Sequence, residues 1–96
     1  MDKEAFVEIA DQLMSGNEVV VEGRSFPVRR TGRQRFRTVR FMMSGREYQG
    51  IQQNPEKPSR WGLLARQGHR VVQFRDLLTQ KYIGATVDRK FQPYGR

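Results

Sequence analysis

An α+β fold built on a mainly antiparallel sheet is what this sequence predicts, and three observations carry it. The N-terminal segment repeats its apolar residues at helical spacing. The body alternates apolar and polar residues in about six to seven short runs, and turn signals of two or three residues separate most of them. The expected architecture is an N-terminal helix, a twisted sheet of six to seven short strands, either open or curled into a partial barrel, and a second short helix. Ninety-six residues make one small domain, 1–96, with an acidic amphipathic helix in residues 1–16 and a basic β-rich body in 17–96.

Residues 2–14 read as the helix, because Phe6, Ile9, Ala10 and Leu13 follow the i, i+3, i+4, i+7 spacing of one apolar stripe. Asp2 suits its N-cap, acidic residues fill the turns where the dipole favours them, and Gly16 suits its end. Glu18–Glu22 alternates at period two, with Val19 and Val21 on one face. Gly23-Arg24 turns the chain, and Ser25–Arg30 returns as an edge strand, since Pro27 cannot donate to a ladder. Thr31-Gly32-Arg33 breaks the pattern before a strand at Arg35–Met43. Ser44-Gly45-Arg46 then makes a hairpin turn into Glu47–Gln52.

Asn54–Pro58 is a rigid polar loop, extended around two prolines. Ser59 caps a short helix running to Gln67, with Trp61, Leu64 and Ala65 on one side and Gly68 at its end. Arg70–Phe74, Tyr82–Val87 and Lys90–Gln92 are the remaining strands. Asp76–Gln80 serves as a turn, and Asp88-Arg89 as a two-residue hairpin connection.

Charge is divided along the chain. Residues 1–22 hold six acids and one base for −5, whereas residues 23–96 hold 17 bases and four acids for +13. Fourteen of the 18 basic residues are Arg, whose planar fork pairs with phosphate or carboxylate and stacks on flat rings. Codon usage in a GC-rich source is a competing reason for that ratio. The absence of Cys excludes disulfides, thiolate zinc sites, iron–sulfur clusters and a cysteine nucleophile. The longest apolar runs, Val19–Val21 and Phe41–Met43, are three residues, so no membrane span is expected. The opening Met-Asp-Lys-Glu does not read as a secretory signal, and a cytoplasmic location is expected.

Catalytic patterns fail one after another. Gly45 and Gly50 match half of a phosphate loop but are followed by Ile51-Gln52, not Lys-Ser/Thr, and they lie on a hairpin. His69 is the one histidine, too few ligands for a zinc or iron site; its pairing with Asp76 in a Ser-His-Asp group is a test any chain with one His passes. Glu18 and Glu22 stand roughly 13 Å apart on a strand, beyond the ~5–9.5 Å of a glycosidase pair. No metal, no cofactor and no enzymatic activity are expected.

The segment Arg24–Arg40 stands out, with seven Arg and no acid. Guanidinium groups neutralise phosphates and release counterions, while a ring such as Phe36 stacks on an unpaired base. If Val39 and Phe41 face the core, Phe36, Thr38, Arg40 and Met42 face outward. The expected phosphate contacts are Arg33, Arg35, Arg37 and Arg40, with Phe36 as the stacking ring. A second basic group comprises Arg60, Arg66, Arg70 and Arg75. Trp61 beside it is either a second stacking platform or a residue packed on the sheet.

These features predict a non-enzymatic module that contacts RNA or DNA phosphates with little sequence specificity. Two alternatives compete: a solvated basic surface with no partner, and an accessory or regulatory domain that docks an acidic protein. The docking alternative requires an apolar patch around Phe36, Met42 and Tyr48. The acidic helix is further expected to compete with an anionic partner as a weak electrostatic lid.

Overall fold

A computed structural model describes residues 2–32 and 36–94. Helix α1 spans Lys3–Ser15. The Asp2 carboxylate accepts from the Ala5 N–H at 3.2 Å, closing one of the orphan donors of the first turn. Phe6, Ile9, Ala10 and Leu13 are buried as their spacing predicts, together with Val7. Strands β1 (Glu18–Val21) and β2 (Arg24–Pro27) form a hairpin around Glu22-Gly23, whose φ angles of 51° and 79° are those of a type I′ turn. The Gln12 side chain grips the outer edge of β1. Its Oε1 accepts from Val20 N–H at 2.8 Å and its Nε2 donates to Val20 C=O at 3.3 Å, so one amide stands in for a neighbouring strand.

The predicted return strand Ser25–Arg30 is two strands. Pro27 closes the β2 ladder because it has no N–H to extend it; Val28 N–H bonds Asn17 C=O, and β3 (Arg29–Thr31) joins a different sheet. That second sheet runs β3, β4 (Phe36–Met43), β5 (Arg46–Gln52), β6 (Val71–Asp76), β7 (Lys81–Val87) and β8 (Lys90–Pro93) as an antiparallel meander in chain order. The predicted sheet of six to seven strands is this six-stranded meander, and β1 and β2 form a two-stranded sheet of their own. β3 and β8 are the free edges of this sheet, so it is not a closed barrel.

Helix α1 and the β1–β2 hairpin cover one face of this sheet and make the core. Val39 and Phe41 on β4 and Val72 and Phe74 on β6 are at most 1% exposed. Phe6 sits at the centre, 4.8 Å from the Phe74 ring, 5.0 Å from Phe91 and 5.6 Å edge-on to Tyr48. Gly50 makes room there: a Cβ would lie 3.1 Å from the Phe74 ring.

The C-terminal end of α1 has no basic residue in its own last turn. Arg37 supplies the charge from β4: its Nη1 donates to Gly16 C=O at 2.7 Å and approaches Leu13 C=O at 3.5 Å, where the helix dipole is negative. The acidic helix is also joined to the opposite end of the sheet by an ion pair between Asp11 and Arg89. Its apolar stripe is therefore core, and it cannot act as a movable lid.

Helix α2 (Arg60–Arg66) is capped by Ser59, whose Oγ accepts from Gly62 N–H at 3.1 Å. Gly62 is obligatory, since a Cβ there would lie 2.0 Å from the Lys57 carbonyl oxygen. The Asp88-Arg89 turn is a second type I′ turn, with φ angles of 49° and 71°, made without glycine. Asp76 ends β6 beneath the surface. Arg46 donates to its carboxylate through Nη2 at 2.6 Å and Nε at 3.1 Å, and the Leu78 N–H bonds its other oxygen at 2.9 Å. The Arg46 hydrogen bond is the leading reason why the Asp76 carboxyl titrates below its ordinary range.

Candidate nucleic-acid interface

Strand alternation sends one set of side chains into the core and the other to the opposite face of the six-stranded sheet. The register assembles that second set into rows. One row reads Arg40 (β4), Gln49 (β5), Arg75 (β6), Tyr82 (β7); its neighbour reads Arg29 (β3), Thr38 (β4), Ile51 (β5), Gln73 (β6). Successive members stand about 4.8 Å apart.

Hydrogen bonds hold the first row in place. Arg75 Nη2 donates to Gln49 Oε1 at 3.0 Å, Gln49 Nε2 donates to Thr38 Oγ1 at 3.1 Å, and the Thr38 hydroxyl donates to Gly50 C=O at 3.0 Å. Arg75 also lies 5.8 Å over the Tyr82 ring, and its buried Nε has no hydrogen-bond partner among the described residues. Arg29 and Arg40 flank a hollow of about 260 Å³ floored by Thr38 and Gln49. Both side chains are exposed, with no acceptor bound to either guanidinium among the described residues.

Beside this row runs a groove of about 460 Å³, walled by Phe36 and Trp61, with Ile51, Gln73 and Tyr82 among its lining residues. Helix α2 borders it because Trp61 stacks on Tyr94 with centroids 5.5 Å apart, and Gln73 Nε2 donates to the Tyr94 hydroxyl at 2.5 Å. Burial pushes the Tyr94 hydroxyl above its ordinary pKa. Arg60 lies 4.9 Å over the Trp61 ring and donates to Gln92 at 3.3 Å.

The two basic groups of the sequence are thus joined in part. Phe36 and Trp61 line the same groove, while Arg60 stands beside Gln92 on β8 and Arg40 on β4, with three strands between them. Arg37 is turned the other way onto α1 and its guanidinium is engaged there, because it shares strand parity with Val39 and Phe41. Arg66 is turned inward within its own loop, donating to Pro55 C=O at 2.6 Å and Lys57 C=O at 3.3 Å. Arg70 precedes β6, where its backbone N–H bonds Asp88 at 2.9 Å. Arg33 and Arg35 lie outside the described residues. The sequence pattern left Arg29, Gln49, Gln73 and Tyr82 out of the site and placed Arg75 in a separate basic group. Their alternation was legible, but the strand register that aligns them was not.

Acids are sparse on this face. Those of α1 and the β1–β2 hairpin belong to the other side of the sheet, and Glu47, opposite Met42, and Glu56, in the loop beside Phe36, border this one. The apolar patch required by a protein-docking reading is not formed: Tyr48 packs against Phe6 and Phe41 in the core, while Phe36 and Met42 stand at opposite ends of β4. His69 Nδ1 lies 2.5 Å from Asp88 Oδ2, and Asp76 is engaged by Arg46, so a His69–Asp76 pairing does not exist.

Among the described residues no group of three or more His, Cys, Asp or Glu could hold a metal ion, and no helix is long and apolar enough to cross a membrane. Compared with known protein families, curated proteins and solved structures, the chain matches none of them.

Proposed function

We propose that this chain is a non-enzymatic cytoplasmic domain that binds single-stranded RNA or DNA across the second face of its sheet. Arg29, Arg40 and Arg75 neutralise phosphates, and Phe36 and Tyr82 offer rings to unpaired bases. The observation that carries this reading is the Arg40–Gln49–Arg75–Tyr82 row, with Gln49 and Arg75 hydrogen-bonded to each other, beside an aromatic-walled groove, with α1 and the β1–β2 hairpin on the opposite side of the sheet.

The reading favours a single strand over a duplex on two grounds. A base must be unstacked before a ring can lie on it. Reading a duplex commonly takes a helix laid in the major groove. Here α1 is acidic and buried along its apolar stripe, and α2 has seven residues and packs through Trp61 onto Tyr94.

The test is a titration of a short single-stranded oligonucleotide at several salt concentrations. Three phosphate contacts predict a slope of log K against log salt of about −2. Replacing Arg29, Arg40 and Arg75 by Gln should remove that slope. A slope that survives all three replacements places the contacts elsewhere and rejects the reading.

A further inference from the structure

Phosphate contacts alone give no base preference, yet the groove is lined by groups suited to one. Gln53 and Asn54 lie at its wall, 7% and 9% exposed. Each is only half satisfied by the protein. Gln53 Nε2 donates to Asn54 C=O at 3.2 Å, which leaves its Oε1 without a protein partner among the described residues. Asn54 Oδ1 accepts from Glu56 N–H at 2.8 Å, closing the loop and leaving its Nδ2 donors similarly open.

The open atoms of both amides keep contact with solvent, since Arg75 Nε is the one buried side-chain polar atom without a partner among the described residues, so a base edge can reach and complete them. The two open functions are of opposite kind: an acceptor on Gln53 and a donor pair on Asn54. Phe36 stands next to them, lining both this groove and a smaller cleft of about 170 Å³ that it shares with Asn54, Pro55 and Glu56.

We infer that this end of the groove takes one unpaired adenine, laid on the Phe36 ring with its edge toward Gln53 and Asn54. The choice of base follows from donor chemistry. Side-chain amides pair with the adjacent N6 donor and ring-nitrogen acceptor of adenine, and a purine covers more of the Phe36 ring than a pyrimidine does. Four of the groove's lining side chains are amides and none is an Arg, Asp or Glu. Lys57, exposed in the loop above, is a compact charge suited to a neighbouring phosphate. The inference rests on the single-strand reading and adds selectivity to it.

The experiment compares four oligonucleotides, each an otherwise uniform abasic or thymidine strand carrying one central A, C, G or T, by fluorescence anisotropy with the wild-type protein. The adenine strand should bind about tenfold more tightly than the others, a value inside the range for one good amide–base pair. Gln53→Met and Asn54→Asp, the latter keeping the oxygen that accepts from Glu56 N–H, should each bring the four affinities together while leaving the salt slope unchanged. Equal affinities in the wild type, or a preference for another base, overturn the adenine site even while the salt-dependent binding stands. Absence of salt-dependent binding to all four overturns the single-strand reading and the adenine site with it.

Discussion

The two faces of the six-stranded sheet are made from the same strands, one residue out of phase, and they carry opposite chemistry. One is closed by α1 and the β1–β2 hairpin around Phe6, Phe41 and Phe74, and Arg37, Asp11 and Arg89 at its border are engaged by the protein itself. The other keeps Arg29, Arg40 and Tyr82 exposed beside a groove edged with half-satisfied amides. Arginine content alone therefore says little about binding. Arg37 and Arg40 are three residues apart on one strand, yet the first caps a helix and the second faces solvent.

The comparison can be broken most severely on the closed face. Phe6→Ala removes a fully buried ring from the centre of the core and should cost about 3–5 kcal/mol, read as a loss of unfolding midpoint in urea. A small loss would mean that α1 does not hold the core together. Acid should act next. The Asp76 and Asp88 carboxyls are both lowered, the first chiefly by the Arg46 hydrogen bond and the second chiefly by the Arg70 N–H. A carboxyl with a depressed folded value stabilises the fold above its unfolded value of about 3.9, and that contribution disappears as pH falls through the folded value. Thermal melts from pH 6 to pH 2 should show stability falling below about pH 4. Asp76→Asn should be less stable at neutral pH and should flatten that fall; an unchanged profile would contradict the assignment.

Arg37→Gln sharpens the comparison within β4. Loss of a charged hydrogen bond at the end of α1 should cost about 1–2 kcal/mol and leave the salt slope of oligonucleotide binding intact. A reduced slope would return Arg37 to the binding surface. The smallest effect is expected at the Asp88-Arg89 turn. Arg89→Gly relieves a left-handed position while losing one surface ion pair, so stability should move by less than about 0.5 kcal/mol, whereas Arg89→Val should cost about 1–2 kcal/mol. Equal stabilities for the two variants would show that the turn is not strained.

Much of this architecture was legible before any coordinates. Turn residues and period-two runs placed both helices and nearly every strand within two residues of their ends. The single return strand was wrong because Pro27 marks a change of sheet as well as an edge, and local pattern does not distinguish them. The site was less legible for a related reason. Alternation separates Arg40 from Val39, and Arg75 from Phe74, within each strand. Only pairing between strands brings Arg40, Gln49, Arg75 and Tyr82 into one row, and that register depends on the two-residue Ser44-Gly45 turn between β4 and β5 and on the long-range pairing of β5 with β6. Clustering in sequence favoured Arg37, whose side chain points the wrong way. It put Arg75 in a separate basic group, because Arg75 is remote in sequence from Arg40 although only two strands away in space.

Backbone amide and tryptophan indole NMR shifts, followed as a short single-stranded oligonucleotide is added to the isotope-labelled chain, test the division between the faces most directly. Perturbations should concentrate at Arg40, Gln49, Gln73, Arg75 and Tyr82 and at the Trp61 indole, and should spare α1 and the β1–β2 hairpin. Shifts centred on α1 or the hairpin, or no shifts at low salt, would contradict the account.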